Sequence, residues 1–284
     1  MIMDKLTDVF TLANGVGIPC IGFGTFQIPD GQECVDAVEA ALDDGYRHID
    51  TAAVYKNEKS VAKAIGISGV PRDQIFLTSK VWNDDRGYDK TLAAFDRSLN
   101  ELETDYLDLY LIHWPSRRAD DNPQWNEINE DTWRALEKLY RDGRVRSIGV
   151  SNFKKHHLEA MNCEIPPMVD QIEYHPGQVE PETVSYCHEN NILVEAWSPL
   201  GSGKMMKSAI LSDIASMYGK DIAQLIIRWC LQTDVLPLIR SVNYQHIMAD
   251  TRVFDFAISE QDMKRIDALP YFGGSGLDPD TVDF

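Results

Sequence analysis

No run of the 284-residue chain approaches the ~18 apolar residues that a membrane helix requires, and Met1 to Phe10 lack the basic-then-apolar layout of a secretory signal. The expected location is the cytoplasm, with no membrane partner. Cysteine is sparse: Cys20, Cys34, Cys163, Cys187 and Cys230 are odd in number, scattered and never in a C-x-x-C pair. That excludes a disulfide framework and offers no zinc ligand set, so no metal is expected. Positive charge is scarce too. With 27 Lys and Arg against 45 Asp and Glu, a formal charge of −18 repels nucleic acid and anionic membranes. A phosphate-bearing ligand must therefore meet a local basic patch. Also missing are a Gly/Ser-rich linker, a composition break and a G-x-G-x-x-G, since Gly22-Phe23-Gly24 runs on into Thr25, Phe26 and Gln27. The first two absences favour a single domain over residues 1–284, and the third removes most support for a doubly wound dinucleotide fold.

What is present is a rhythm. After an Asn14-Gly15 turn between short apolar segments, which predicts an N-terminal β-hairpin, helical stripes alternate with short buried runs. Val35, Val38 and Leu42 share one face, as do Leu92, Phe95, Leu99 and Leu102, and Trp133, Leu136 and Tyr140, the last punctuated by Gly143. The buried runs are Ile21 to Phe23, Arg47 to Asp50, Ile75 to Ser79, Leu107 to Ile112, Ser147 to Val150, Met168 to Asp170, Ile192 to Ala196 and Val235 to Ile239. Eight strands alternating with helices over roughly 250 residues predict an α/β fold, a closed (β/α)₈ TIM barrel. The longest irregular stretch, Pro115 to Asn129 with its Trp125, is a candidate substrate loop.

Active sites of such barrels lie at the carboxyl ends of the strands. Here those ends are mostly polar: Asp50, Lys80, His113, Ser151-Asn152, Gln171, Trp197 and Arg240-Ser241, with Tyr55 just beyond Asp50. A lysine or aspartate closing a strand is usually a solvated terminus, and a lone histidine before Trp-Pro is usually structural. Their convergence on one mouth favours chemistry.

These same residues stand in segments that resemble the aldo-keto reductase family, in particular its bacterial-type members: Gly22-Phe23-Gly24-Thr25, His48-Ile49-Asp50-Thr51-Ala52 with Tyr55 and Asn57-Glu58, Thr78-Ser79-Lys80-Val81-Trp82, Leu111-Ile112-His113-Trp114-Pro115, Gly149-Val150-Ser151-Asn152-Phe153, Gln171-Ile172-Glu173 with His175-Pro176, and Trp197-Ser198-Pro199-Leu200-Gly201. They follow family order across nearly the whole chain. The resemblance implies NADPH-dependent reduction of aldehydes and ketones, with a catalytic tetrad of Asp50, Tyr55, Lys80 and His113. Tyr55 would be the proton donor. A free tyrosine titrates near ~10, and Lys80 would lower that, held charged by Asp50. His113 would orient the carbonyl. Ser151, Asn152 and Gln171 would hold the carboxamide, with Trp197 stacked on the nicotinamide. Gly24, Thr25, Ser198, Leu200, Gly201 and Ser202 would approach the cofactor, while Arg240, Ser241, Val242, His246 and Asp250 would meet its adenosine-phosphate end. Phe26, Val54, Trp82 and Trp114 would wall the substrate side. The family-based expectation for oligomeric state is a monomer.

The chain departs from the family at the phosphate end, where Arg240 stands for the usual Lys, His246 for Arg and Asp250 for Asn. Arg240 preserves bidentate recognition. His246, with an ordinary pKa near ~6.5, gives up one permanent charge, so the preference over NADH should be weaker than usual. Two other readings stay open: an aldolase using Lys80 as a Schiff-base nucleophile, and a barrel that binds NADPH without turnover. The short tail from Tyr271 to Phe284 suggests an open pocket for small dicarbonyls, keto acids or keto esters.

Overall fold

A computed structural model describes residues 3–116, 125–272 and 274–282. The hairpin is β1 (Val9–Thr11) and β2 (Gly17–Pro19), antiparallel with Phe10 opposite Ile18. Gly15 takes the left-handed conformation that this turn requires, at φ 84°. Asn14 then donates its side-chain amide to the carbonyl of Arg146 at 2.9 Å, which ties the hairpin to the start of a barrel strand.

The barrel strands follow as β3 (Gly22–Gly24), β4 (His48–Asp50), β5 (Phe76–Val81), β6 (Leu107–Ile112), β7 (Val145–Ser151), β8 (Val169–Glu173), β9 (Leu193–Trp197) and β10 (Val235–Ile239). All neighbours are parallel, and β10 pairs with β3 to close the ring. The eight expected runs are thus the eight staves. Gly149 marks how tightly they meet, because a Cβ there would come within 2.5 Å of the Val169 carbonyl. Helices α1 (Gln32–Asp43), α2 (Glu58–Ile67), α3 (Tyr88–Glu101), α4 (Trp125–Arg141), α5 (Lys155–Ala160) and α6 (Pro181–Glu189) each follow one strand; α7 (Ala209–Met217) and α8 (Ile222–Gln232) follow β9. Two more, α9 (Tyr244–Asp250) and α10 (Glu260–Asp267), come after β10.

The expected stripes are the packed faces: Val35, Val38 and Leu42 on α1, Phe95 and Leu99 on α3, and Trp133 and Leu136 on α4 are all buried. One expectation is corrected. Trp125 to Asn129 are not loop but the first turns of α4, where Trp125 lies edge-on to the His157 ring and Asn129 accepts the Ser116 amide at 2.7 Å. Residues 117–124 of that candidate loop lie outside the described residues, as do 273, 283 and 284 of the tail. Among the described residues, no helix is long and apolar enough to cross a membrane.

Candidate active site

Four elements bring Asp50, Lys80, Tyr55 and His113 together. Asp50 closes β4, Lys80 is the penultimate residue of β5, and His113 directly follows β6. Tyr55 ends a single 3₁₀ turn, Ala53–Tyr55, from which the chain leaves through a left-handed Lys56. Asn57 holds that loop in place. Its Oδ1 accepts from Thr51 Oγ1 at 2.8 Å, and its Nδ2 donates to the carbonyls of Thr25 and Ile28 at 2.9 and 3.0 Å. Because these groups are buried and fully used, the loop carrying Tyr55 is fixed relative to β3.

The Lys80 Nζ donates to both Asp50 oxygens, at 2.7 and 2.8 Å, and to the Thr51 carbonyl at 3.0 Å. It lies 5.2 Å from the Tyr55 ring centroid, close enough for its charge to act on the phenol. Burial alone would pull the lysine pKa down, but Asp50 and Tyr55 outweigh it and hold the ammonium charged, above its usual value. For Tyr55 the balance goes the other way from the expected lowering. Burial pushes it up to about 12, with Lys80 opposing, because the loss of water around the phenol outweighs one nearby cation. The phenol therefore keeps its proton until a base appears. His113 is driven well below its ordinary value by burial and then by Lys80, so its imidazole is neutral. Its ring meets Tyr55 and Trp82 edge-on, with centroids 5.6 and 5.1 Å away.

Around this group the residues expected to wall the substrate divide. Phe26, 54% exposed, lies 5.1 Å from the Tyr55 ring, and Trp82 and Val54 are half-buried, but Trp114 is buried. On the opposite side, Ser151 Oγ donates to the Gln171 carbonyl at 2.7 Å, and Asn152, in the left-handed region, donates to the His113 carbonyl at 2.9 Å. Asn152 Oδ1 accepts the Trp197 indole N–H at 2.8 Å, which fixes the ring. Gln171 is committed more than expected: its Nε2 donates to Asp50 Oδ2 at 3.0 Å and to Glu195 Oε2 at 2.9 Å. What it can offer a ligand is its Oε1.

Thr25 is likewise tied inward, through its amide and hydroxyl to the Asp50 carbonyl, and Gly24 pairs with Asp50 across the β3–β4 ladder. Past β9 the chain runs through left-handed Ser198, Gly201, Ser202 and Gly203. The amides of Gly201, Ser202 and Gly203 are engaged by Ser198 and Leu200, so the polar groups this turn presents are the hydroxyls of Ser198 and Ser202. Arg240, Val242 and His246 are exposed, and Arg240 is held by the Gln27 carbonyl at 3.0 Å while Ser241 is half-buried. Asp250 is buried, and burial with Asp221 nearby pushes its carboxyl to about 7, which weakens the negative charge that an aspartate in place of asparagine brings.

Two features went unread in the sequence. Glu195, fully buried in β9, touches the tetrad through Gln171; its signal is an acid inside an apolar run, Leu193–Trp197. The tail is also anchored: Ser275 bonds both Glu173 oxygens, and Lys154 bonds Asp278 and Asp280. His156, His157 and Asp280 converge there. However, His157 Nδ1 accepts the Lys154 amide at 3.1 Å, which puts the ring proton on Nε2, facing Asp280, and leaves no lone pair for a metal.

The model of the aldo/keto reductase family matches residues 20–270. The chain is 47% identical over 282 residues to the glyoxal reductase of Bacillus subtilis (strain 168), covering 99% of each. Among solved structures, an aldo/keto reductase from Brucella melitensis superposes with a TM-score of 0.86 at 42% identity, over 92% of this chain and 98% of that one. The Bombyx mori aldo-keto reductase in complex with NADP gives 0.84 at 32% identity, over 92% of both chains.

Proposed function

The chain belongs to the aldo/keto reductase family, and from that premise we propose that it reduces aldehydes and ketones to alcohols with NADPH, using Tyr55 as the proton donor. The observation that carries this reading is the chain of contacts from Asp50 through Lys80 to Tyr55, beside a neutral His113.

When bound, the nicotinamide supplies a hydride to the carbonyl carbon. The protein's part is everything at the oxygen. A neutral imidazole carries one N–H, so His113 donates a hydrogen bond to the substrate carbonyl and sets its angle. As the C=O π pair becomes an alkoxide, Tyr55 gives it the phenolic proton. The phenolate left behind faces the Lys80 ammonium, and solvent returns the proton. A phenol at about 12 still matches this task, since a developing alkoxide is more basic than a phenolate. Lys80 itself, buried and held as an ammonium by Asp50, makes a poor Schiff-base nucleophile.

For the cofactor, the residues fit. Trp197 is pinned edgewise and half-exposed, Gln171 retains one acceptor, and Arg240 and His246 are exposed beyond β10. These would hold the nicotinamide and the adenosine phosphate respectively. The Bombyx mori relative in complex with NADP supports that choice. The exposed Phe26 and half-buried Trp82 suit small substrates, and similarity to a glyoxal reductase supports dicarbonyls, with keto acids and keto esters as further candidates. The same reading makes the protein a cytoplasmic monomer with no nucleic-acid partner. A panel of these carbonyls, assayed with NADPH and NADH in parallel, tests it; no oxidation of either cofactor with any substrate contradicts it.

A further inference from the structure

We propose that Glu195 is a positioning residue for this reduction: its buried carboxyl, joined to Asp50 through the side-chain amide of Gln171, fixes that amide and governs how much negative charge faces the Lys80–Tyr55 pair. The proposal deepens the reading above and rests on it.

The geometry is a bridge. Glu195 on β9 stands directly opposite Gln171 on β8 in the ladder. The two N–H bonds of one amide nitrogen reach two acids, Asp50 Oδ2 at 3.0 Å and Glu195 Oε2 at 2.9 Å. All three side chains are buried. With the nitrogen held from both sides, the amide cannot flip, and its oxygen keeps one orientation.

The charge balance follows from what surrounds Glu195. From β4 come Asp50 and His48, whose Nε2 is 3.9 Å from Glu195 Oε1; from β5 comes Lys80; from β8, Gln171; from β10, its register partner is the apolar Leu236. Lys80 already faces Asp50. Burial and the Lys80 charge hold His48 neutral, down to about 3, so it cannot offset a second carboxylate. Among the described residues, Glu195 Oε1 has no hydrogen-bond partner. Burial, then Asp50, accordingly push the Glu195 carboxyl up to about 8. Below that pH the buried cluster is neutral. Above it, the new charge acts on Lys80, which senses Glu195 directly, and strengthens the pull on the protons of both Lys80 and Tyr55. The phenol then becomes a weaker donor.

Glu195→Gln tests this, because glutamine can still accept from Gln171 but cannot ionise. Each kcat/KM profile for carbonyl reduction is scaled to its own maximum. Wild-type activity is expected to fall about tenfold from about pH 7 to pH 9, as for one group titrating near 8, and the variant to fall by less than about half of that. A second readout does not depend on the reaction. A carboxyl raised from 4.5 to about 8 by folding contributes stability that is full below about 4.5 and lost as pH climbs through 8. The Tm of Glu195→Gln minus that of wild type should therefore rise between those values. Superimposable pH profiles together with a flat Tm difference overturn the proposal. Should that variant fail to fold, Glu195→Met serves the same Tm comparison. Loss of carbonyl reduction by wild type itself would sink the functional reading and leave the Tm test standing.

Discussion

Lys80 and Asp50 meet through both carboxylate oxygens, with Nζ 2.7 Å from Oδ1 and 2.8 Å from Oδ2, inside a barrel that leaves the lysine no exposure. A charge pair this dry depends on each partner for the other's solvation. Under the proposed reading the pair serves stability and chemistry at once, and the two roles can be separated.

Lys80→Met leaves Asp50 buried without its cation and should cost roughly 3 to 5 kcal/mol of folding stability. It should also lower kcat by about 10² or more. Adding Asp50→Asn removes the stranded charge. The double variant is expected to recover much of the lost stability in chemical denaturation and none of the lost activity. Recovery of turnover would mean that the lysine acts only on folding.

His113 is neutral throughout the working range, because burial and Lys80 hold its pKa well below 6.5. His113→Ala should therefore lower kcat/KM through lost carbonyl orientation without removing any inflection between about pH 5.5 and 8. An acid limb in wild type that disappears in this variant would contradict the neutral assignment.

Cofactor choice should depend on pH. Arg240 and His246 are both exposed beyond β10, and an imidazole, unlike a guanidinium, in general changes charge between about pH 5 and 8. If both meet the 2′-phosphate, the NADPH advantage over NADH grows from about pH 8 towards 6, while NADH affinity stays level. His246→Arg should remove that dependence and tighten NADPH about tenfold, equivalent to ~1.4 kcal/mol. Arg240→Ala should bring the two cofactors near parity. Fluorescence titrations that give one ratio at every pH, in wild type and His246→Arg alike, would count against it.

The thiols should be inert in the native state. Burial pushes Cys20 and Cys34 up to about 12 and Cys187 and Cys230 higher still, while Cys163 is only partly buried. Mass spectrometry after brief alkylation near pH 7.5 should find at most Cys163 modified, and all five after denaturation. Native labelling at Cys20 or Cys230 would contradict this packing.

The barrel was legible because its signal is repeated: eight apolar runs with helical stripes between them leave little choice of closure. The polar strand ends were legible for a related reason, since Asp50, His113, Asn152 and Trp197 interrupt apolar patterns at the places where a barrel opens. Glu195 was not. It sits within a run, and whether such a residue faces its own helix or the tetrad depends on β8–β9 register, a tertiary property. The commitment of Gln171 to two acids follows from that same register. The raised Tyr55 likewise reflects burial, a tertiary property that the residue types Tyr and Lys do not announce. The tail's bonds to Lys154 and Glu173 span over 100 residues and have no local pattern to announce them.

The most direct test is single-turnover mixing of the NADPH-loaded enzyme with a small dicarbonyl, for wild type and Tyr55→Phe side by side, with cofactor binding measured separately by fluorescence. Loss of the phenolic proton alone should leave NADPH affinity nearly unaltered and slow nicotinamide oxidation by about 10² or more. Wild-type oxidation rates in Tyr55→Phe would show that the proton comes from elsewhere and contradict the account.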